Sequence, residues 1–313
     1  MEYNKAVEDM QFGDRVEGYY VLSSIQQRTL ASGGTLFCAR LSDATGSIAA
    51  CIRSGGVSEA DAGSVVWVRG EVGEYRGATQ FGVQSIRVAD KWDEYDLRAL
   101  APSAPLDTAD AMAELRELVS SIQDADYRRV CEAMLERHGD LFQDIPAAKS
   151  IHHAFLSGLL MHTLNMLRMA DLLSGLYGEI IDRSLLMTGT LLHDFGKLRE
   201  FVRSPLGLVK DYAVEGSLLG HPYMGAQEVC EVASALGTPA EKAMLLQHLL
   251  LSHHGQPEFG AAVVPQCAEA ELLNSLDHID SRMEIYAETL CRVPEGSFSR
   301  KLPFMDKALY RHR

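Results

Sequence analysis

The dipeptide His193-Asp194, in the run Leu191-Leu192-His193-Asp194-Phe195-Gly196-Lys197, is flanked at long and regular intervals by other side chains able to bind a transition metal. His162 precedes it, and His221, the pair His253-His254 and Asp277 follow, with gaps of 24 to 32 residues. Such a gap holds one helix and a connection, so each ligand can come from a different helix of a bundle and project into one core. Imidazole nitrogens with a few carboxylates suit Mn, Fe, Co, Ni or Zn better than Ca or Mg. The set exceeds what one hydrolytic ion needs while leaving room for water, so two ions sharing Asp194 are the economical expectation. A single histidine on an apolar helix is more often a hydrogen-bonded core residue. Five positions in this order are not explained that way.

The order His162, His193-Asp194, His221, Ser252-His253-His254-Gly255, Asp277 resembles the HD superfamily of metal-dependent phosphohydrolases. The resemblance implies that Asp194 bridges, with His162, His193, Asp194 and Asp277 on one ion and Asp194, His221 and one of His253 or His254 on the other. His253 and His254 would project about 100° apart on a helix, so one is expected to bind metal and the other to face substrate. His253 is the expected ligand and His254 the expected substrate contact. Asp277 and Asp280 form an i, i+3 pair, either of which serves on spacing alone; the family pattern favours Asp277.

Lys197 follows Asp194 by three residues and His193 by four, so on a continuing helix its ammonium lies over the same face. There it would neutralise a phosphoryl oxygen or the leaving group, near the scissile phosphate rather than among the ligands. The alternative is a surface lysine closing a helix. His152 and His153 are expected to open the helix carrying His162, where a helix N-terminus favours a phosphate; a structural role fits them equally.

Composition bounds the rest. The 313 residues, 47% hydrophobic, suffice for about two domains with ample core. No run approaches the ~18 to 20 apolar residues of a membrane helix, and the acidic start, Met1 to Asp9, has no signal-peptide apolar region. The expectation is a cytoplasmic protein with no membrane partner. Cys38, Cys51, Cys131, Cys230, Cys267 and Cys291 contain no Cys-x-x-Cys pair and are expected to be buried small hydrophobes. A net charge of -14 argues against tight nonspecific duplex binding. The tail from Arg300 to Arg313 is locally basic, which a solvated terminus explains as well.

The chain changes character near residue 95. Before it, Val16 to Leu22, Thr35 to Leu41, Gly46 to Ile52, Val65 to Val72 and Phe81 to Val88 predict five short strands punctuated by Gly and Asp. Five strands in so short a span suggest a small barrel of the OB type, with Leu41 to Ile48 as one turn and Gly70 to Gly77 as the last hairpin. OB barrels hold single-stranded nucleic acid by stacking bases on aromatics in a cationic groove. Tyr19, Phe37, Trp67, Tyr75 and Phe81, with Arg40, Arg69, Arg76 and Arg87, are the candidates, Tyr75 and Arg76 foremost; aromatics of a small barrel otherwise fill its core. Beyond an acidic, Ala- and Pro-rich stretch the chain reads as helical, beginning with Asp107-Thr108 before Met112, Leu115, Leu118 and Ile122. A hairpin-like excursion is expected between Phe201 and Leu218. The predicted organisation is an all-β OB-like barrel over 1–95, a linker over 96–106 and an all-α HD-type domain over 107–313.

Longer segments carry a closer resemblance over the whole chain. Ala147 to Phe155, Gly158 to Thr163, Glu215 to His221 and Ser252 to Gly260 resemble the YhaM family of 3′→5′ exoribonucleases. The resemblance implies two divalent transition-metal ions, Mn²⁺ first with Fe, Co or Ni as alternatives. It also implies release of nucleoside 5′-monophosphates from single-stranded RNA, sometimes single-stranded DNA. A homo-oligomer is compatible with it. The acidity of this chain departs from expectation and implies modest affinity for long RNA. An HD phosphodiesterase acting on a small nucleotide or cyclic dinucleotide is the alternative, although such a substrate needs no second binding domain. A di-iron oxygenase and a binding protein with a vestigial HD domain are further readings, separable by O₂-dependent turnover and by metal analysis.

Overall fold

Alternating apolar and polar side chains build the first of two units. In the computed structural model, which describes residues 2–29, 35–53, 56–75, 77–149, 153–303 and 305–313, the strands β1 (Glu2–Tyr3), β2 (Arg15–Thr29), β3 (Thr35–Ser42), β4 (Ser47–Ile52), β5 (Val65–Tyr75) and β6 (Ala78–Val88) form one sheet. Its order is β1-β2-β3-β4-β6-β5, and β2 also pairs with β5, which closes a barrel. The long β2 makes this closure possible. Its first half lies antiparallel to β5, with Arg15 opposite Glu71, and its second half antiparallel to β3, with Ile25 opposite Ala39. β4 and β6 run parallel, which gives the five principal strands the OB connection pattern.

In β4, Ile48, Ala50 and Ile52 are buried between less buried neighbours, and they meet Val16, Tyr20, Leu22, Val68 and Phe81 in the barrel core. At Gly70 the β5–β6 register shifts, and a Cβ would sit 2.3 Å from the Gly82 carbonyl oxygen, so the strands approach as they do only without a side chain there. The turn after β3 is held by Asp43, whose carboxylate accepts from the Thr45 and Gly46 N–H groups. The stretch expected as a linker, 96–106, holds the boundary between the two units at Ser103 and Ala104; it begins with a helical turn, α1 (Leu97–Leu100), capped by Asp96, and Leu100, Ala101 and Ala104 are buried. Alanine and proline there make a packed segment.

The chain divides into Met1–Ser103 with Arg203–Leu208, and Ala104–Val202 with Val209–Arg313. The second unit is helical: α2 (Thr108–Ser120), α3 (Ala125–Phe142), α4 (Gly158–Leu176), α5 (Arg183–Leu192), α6 (Lys197–Glu200), α7 (Val214–Leu219), α8 (His221–Ala235), α9 (Ala240–Ser252) and α10 (Ala268–Leu290). Asp107, Asp124 and Asp182 each accept two backbone N–H bonds at the first turns of α2, α3 and α5. The excursion is the hairpin β7 (Phe201–Arg203) and β8 (Val209–Tyr212), followed by α7. A further short pair, β9 (Ser297–Phe298) with β10 (Tyr310–Arg311), lies near the C-terminus.

Every residue of α5 from Ser184 to Leu192 is buried, because α3, α4, α9 and α10 pack around it. The helix that ends at His193 is therefore the axis of the unit. Among the described residues no helix is long and apolar enough to cross a membrane. The cysteines are less uniform than expected: Cys131 is buried against Thr188, Cys291 is exposed, and the other four are half-buried.

Candidate metal centre

Four histidine rings converge on Asp194, and each is fixed through its Nδ1. His193 and His253 stand just past the ends of α5 and α9, where helix carbonyls lack intrahelical partners. Their Nδ1 atoms bond the Thr190 and Leu250 carbonyls at 2.8 and 2.7 Å. His162, from the first turns of α4, bonds Asp280 Oδ2 at 2.7 Å. His221, the first residue of α8, bonds both Glu200 oxygens at 3.1 and 3.0 Å, and its backbone N–H donates to Glu200 Oε1 at 2.9 Å. With each Nδ1 so engaged, each Nε2 is turned inward.

Asp194 sits between two groups of donors. Its Oδ2 lies 3.3 Å from His193 Nε2 and 3.8 Å from His162 Nε2, while Asp277 Oδ1 lies 3.5 Å from that same His162 atom. Its Oδ1 lies 3.3 Å from His221 Nε2 and 3.8 Å from His253 Nε2. Within each of the sets His162/His193/Asp277 and His221/His253/His254, one donor atom per residue falls within 4.8 Å of the others. Asp194 Oδ1, His221 Nε2 and His253 Nε2 are buried and have no hydrogen-bond partner among the described residues. Buried polar atoms left so are costly unless something binds them, and their chemistry suits a divalent transition metal.

The electrostatics favour the metal-binding forms of Asp194, His253 and His254, whereas at His193 burial would lower the pKa but the Asp194 carboxylate raises it. Burial alone would raise the Asp194 pKa, but Lys197, His193 and His221 hold it well below the usual carboxylate range. Burial pushes His253 well down, with His254 and His193 adding to it, and brings His254 to about 4. At neutral pH the site thus presents an anionic carboxylate and, at 253 and 254, neutral imidazoles. Gly196 makes the approach of α8 possible: a Cβ there would lie 2.1 Å from the His221 carbonyl oxygen, which backbone cannot relieve.

His162, His193, Asp194, His221, His253 and Asp277, singled out from sequence, are all brought together, and His254 joins them. His254 stands beyond the end of α9, so the helical 100° separation does not apply, and its ring centroid is only 4.1 Å from that of His253. Three expectations need correction. The helix bearing His162 begins at Gly158, and His153 precedes it in a left-handed loop conformation, fully buried, with Nε2 on Asp280 at 2.7 Å; it is not at a phosphate-facing helix start. Lys197 opens the separate helix α6, and its ammonium is 2.6 Å from Asp194 Oδ2, beside the ligands rather than apart from them. In the barrel, Phe81 is fully buried and Tyr19 nearly so with its hydroxyl donating to Asp93 at 2.7 Å, so neither is available for stacking. Tyr75 ends β5 more than half exposed. His152 and Arg76 lie outside the described residues.

Glu200 was not singled out from sequence. It is separated from His221 by 21 residues and carries no local signal beyond being an acid after the dyad. Asp280 entered only as a rival ligand to Asp277, and the structure puts it on the other edge of the His162 ring.

A family model described as HD domain matches residues 159–282, which spans all the donors above, and the helicase model TraI_2 matches 103–181. The 3′-5′ exoribonuclease YhaM of Halalkalibacterium halodurans is 34% identical over 301 residues, covering 95% of this chain and 92% of that protein. The Bacillus subtilis protein of the same name is 32% identical over 294 residues, covering 93% and 92%. Among solved structures, the second OB-fold domain of replication protein A from Methanococcus maripaludis matches 30% of this chain and 100% of that one, at 19% identity and a TM-score of 0.23. The helical unit contains an HD domain, and the chain belongs to the YhaM family of 3′-5′ exoribonucleases.

Proposed function

We propose that this protein hydrolyses single-stranded RNA from its 3′ end and releases nucleoside 5′-monophosphates, using two divalent transition-metal ions, Mn²⁺ foremost. The observation that carries the reading is the division of Asp194, one oxygen facing His162 and His193, with Asp277 beside His162, the other facing His221 and His253 with His254 beside them. Those two sets, each with its Asp194 oxygen, would hold the two ions. When bound, such ions activate water at neutral pH and place positive charge against the phosphate oxygens.

The protein's own part is preorganisation. The Nδ1 bonds fix four rings before substrate arrives, so little reorganisation remains for the reaction itself. Lys197 sets a cation at the edge of the cluster, where it would stabilise charge on a phosphoryl oxygen. In the reaction the water oxygen bonds to phosphorus and the bond from phosphorus to the 3′ oxygen of the preceding nucleotide breaks. That oxygen takes up a proton, and the phosphate stays on the 5′ carbon of the released nucleotide. The barrel would present the strand, with Tyr75 and Arg76 as stacking and phosphate contacts. A small nucleotide or cyclic dinucleotide would use the same chemistry but would leave the barrel without a role.

The test is a 5′-labelled single-stranded RNA, and the same sequence as DNA, incubated with Mn²⁺-loaded protein. The expected result is a ladder shortened from the 3′ end, with 5′-monophosphates as the unlabelled product. Immediate release of the labelled 5′ nucleotide, or turnover of a cyclic dinucleotide while RNA stays intact, would overturn the reading.

A further inference from the structure

Asp277 and Asp280 lie about one turn apart on α10 and reach opposite edges of a single imidazole. Asp277 Oδ1 is 3.5 Å from His162 Nε2, whereas Asp280 Oδ2 is 2.7 Å from His162 Nδ1. Asp280 is itself surrounded by donors. The same Oδ2 accepts from His153 Nε2 at 2.7 Å, and Oδ1 accepts from Asn165 Nδ2 at 3.1 Å. These donors come from the loop before α4 and from α4 itself, and Asp280 is almost wholly buried among them.

We propose that Asp280 is a positioning residue: together with His153 and Asn165 it fixes the tautomer and angle of His162 so that Nε2, 3.2 Å from His193 Nε2, is always the unprotonated, inward-facing nitrogen. The inference rests on the metal reading above.

Geometry separates this role from that of a ligand. Asp280 occupies the far edge of the ring, and both its oxygens are engaged by N–H donors. A carboxylate that accepts from the second nitrogen of a metal-binding histidine sets the ring's orientation and raises its basicity. Among the described residues His193 and His253 meet only backbone carbonyls in that place, whereas His162 and His221 have carboxylates, so each donor set contains one reinforced imidazole.

His153 supplies an independent sign that the arrangement is built. Its backbone is left-handed at φ 53, a conformation that side chains other than glycine seldom adopt, and its carbonyl is held by the Ala147 N–H at 3.0 Å. Such strain persists only where the surroundings over-determine it. Here it delivers a second buried imidazole to the oxygen that already serves His162. His153, expected from its place in the sequence to meet a phosphate, holds the carboxylate that holds the ligand.

The test uses the full chain with Asp280→Asn. In metal-free wild-type protein, ¹⁵N-histidine spectra, with His162 assigned by its loss in His162→Gln, should show the proton on Nδ1. Asp280→Asn should abolish that single-tautomer signature and weaken one Mn²⁺ site about 10-fold to 100-fold in calorimetric titration, the usual effect of losing such a partner. The rate should recover at saturating Mn²⁺ and the KM for RNA should not move. If Asp280→Asn does not fold by circular dichroism, Asn165→Ala keeps the carboxylate and both histidines and should weaken the same site to a smaller degree. Wild-type Mn²⁺ affinity and tautomer in the folded variant would overturn the proposal. So would complete loss of one ion at every Mn²⁺ concentration with the tautomer intact, which would make Asp280 a ligand. Wild-type protein that binds no Mn²⁺ would remove the metal reading and this inference together, at a step before any variant is compared.

Discussion

Lys197 Nζ lies 2.6 Å from Asp194 Oδ2, the same oxygen that faces His193 and His162. The ammonium therefore does two things at one place: it holds Asp194 anionic and sets a positive charge at the edge of the donor cluster. Asp194 in turn keeps the lysine charged, raising its pKa against a burial effect that would lower it.

Replacing Lys197 by Ala removes no donor atom from either set but takes away this charge. Metal content should stay at the wild-type level, and the single-turnover rate at saturating RNA should fall about 10²-fold to 10³-fold, as when one preorganised charge-stabilising donor is lost. Metal analysis beside rapid-quench kinetics checks this. An unchanged single-turnover rate would assign Lys197 to holding Asp194 alone.

Glu200 is the counterpart of Asp280 on the other donor set. It accepts from both the ring and the backbone of His221. Glu200→Ala should lower Mn²⁺ affinity about 10-fold to 100-fold, with Glu200→Gln intermediate because it keeps an acceptor for the backbone N–H. Calorimetric titration of both variants reads the order directly; wild-type affinity in Glu200→Ala would contradict it.

Away from the site, Glu228 on α8 accepts from Arg137 at 3.0 Å and from His138 Nε2 at 2.7 Å. Burial alone would raise its pKa, but these two bonds from α3 hold it below its ordinary value of 4.5. A carboxyl depressed on folding contributes stability above its unfolded pKa and loses it as pH falls through the folded value. Glu228→Gln should therefore be less stable than wild type near pH 7, by about 1.5 to 3 kcal/mol for a hydrogen bond to a charged group. The difference should shrink once the pH drops below about 4.5. Urea unfolding at pH 7 and at pH 4 measures it, and an equal gap at both would contradict the assignment.

The barrel strands were legible because alternation is a local property: in β4, every second residue from Ile48 to Ile52 is buried. Two features were not. The pairing of Glu2 and Tyr3 with Val16 and Glu17 is too short to leave a pattern, and the extension of β2 to Thr29 runs through polar residues placed by pairing with β3. In the helical unit, spacing singled out His162, His193, Asp194, His221, His253 and Asp277, which the fold brings together, because each stands at a helix end or on a helix face. Spacing could not separate Asp277 from Asp280, since both point toward α4 and only the ring between them decides their roles. It also misplaced His153, because the helix start five residues later depends on tertiary contacts of the preceding loop.

The account depends most on Asp194, whose two oxygens face the two donor sets. The direct measurement is metal stoichiometry together with RNA hydrolysis for Mn²⁺-reconstituted wild type and Asp194→Ala, with circular dichroism to confirm that the variant folds. Two bound ions per chain and 3′→5′ degradation in the wild type, and the loss of both in the variant, are the predicted result. A folded Asp194→Ala protein that degrades RNA at the wild-type rate would contradict it.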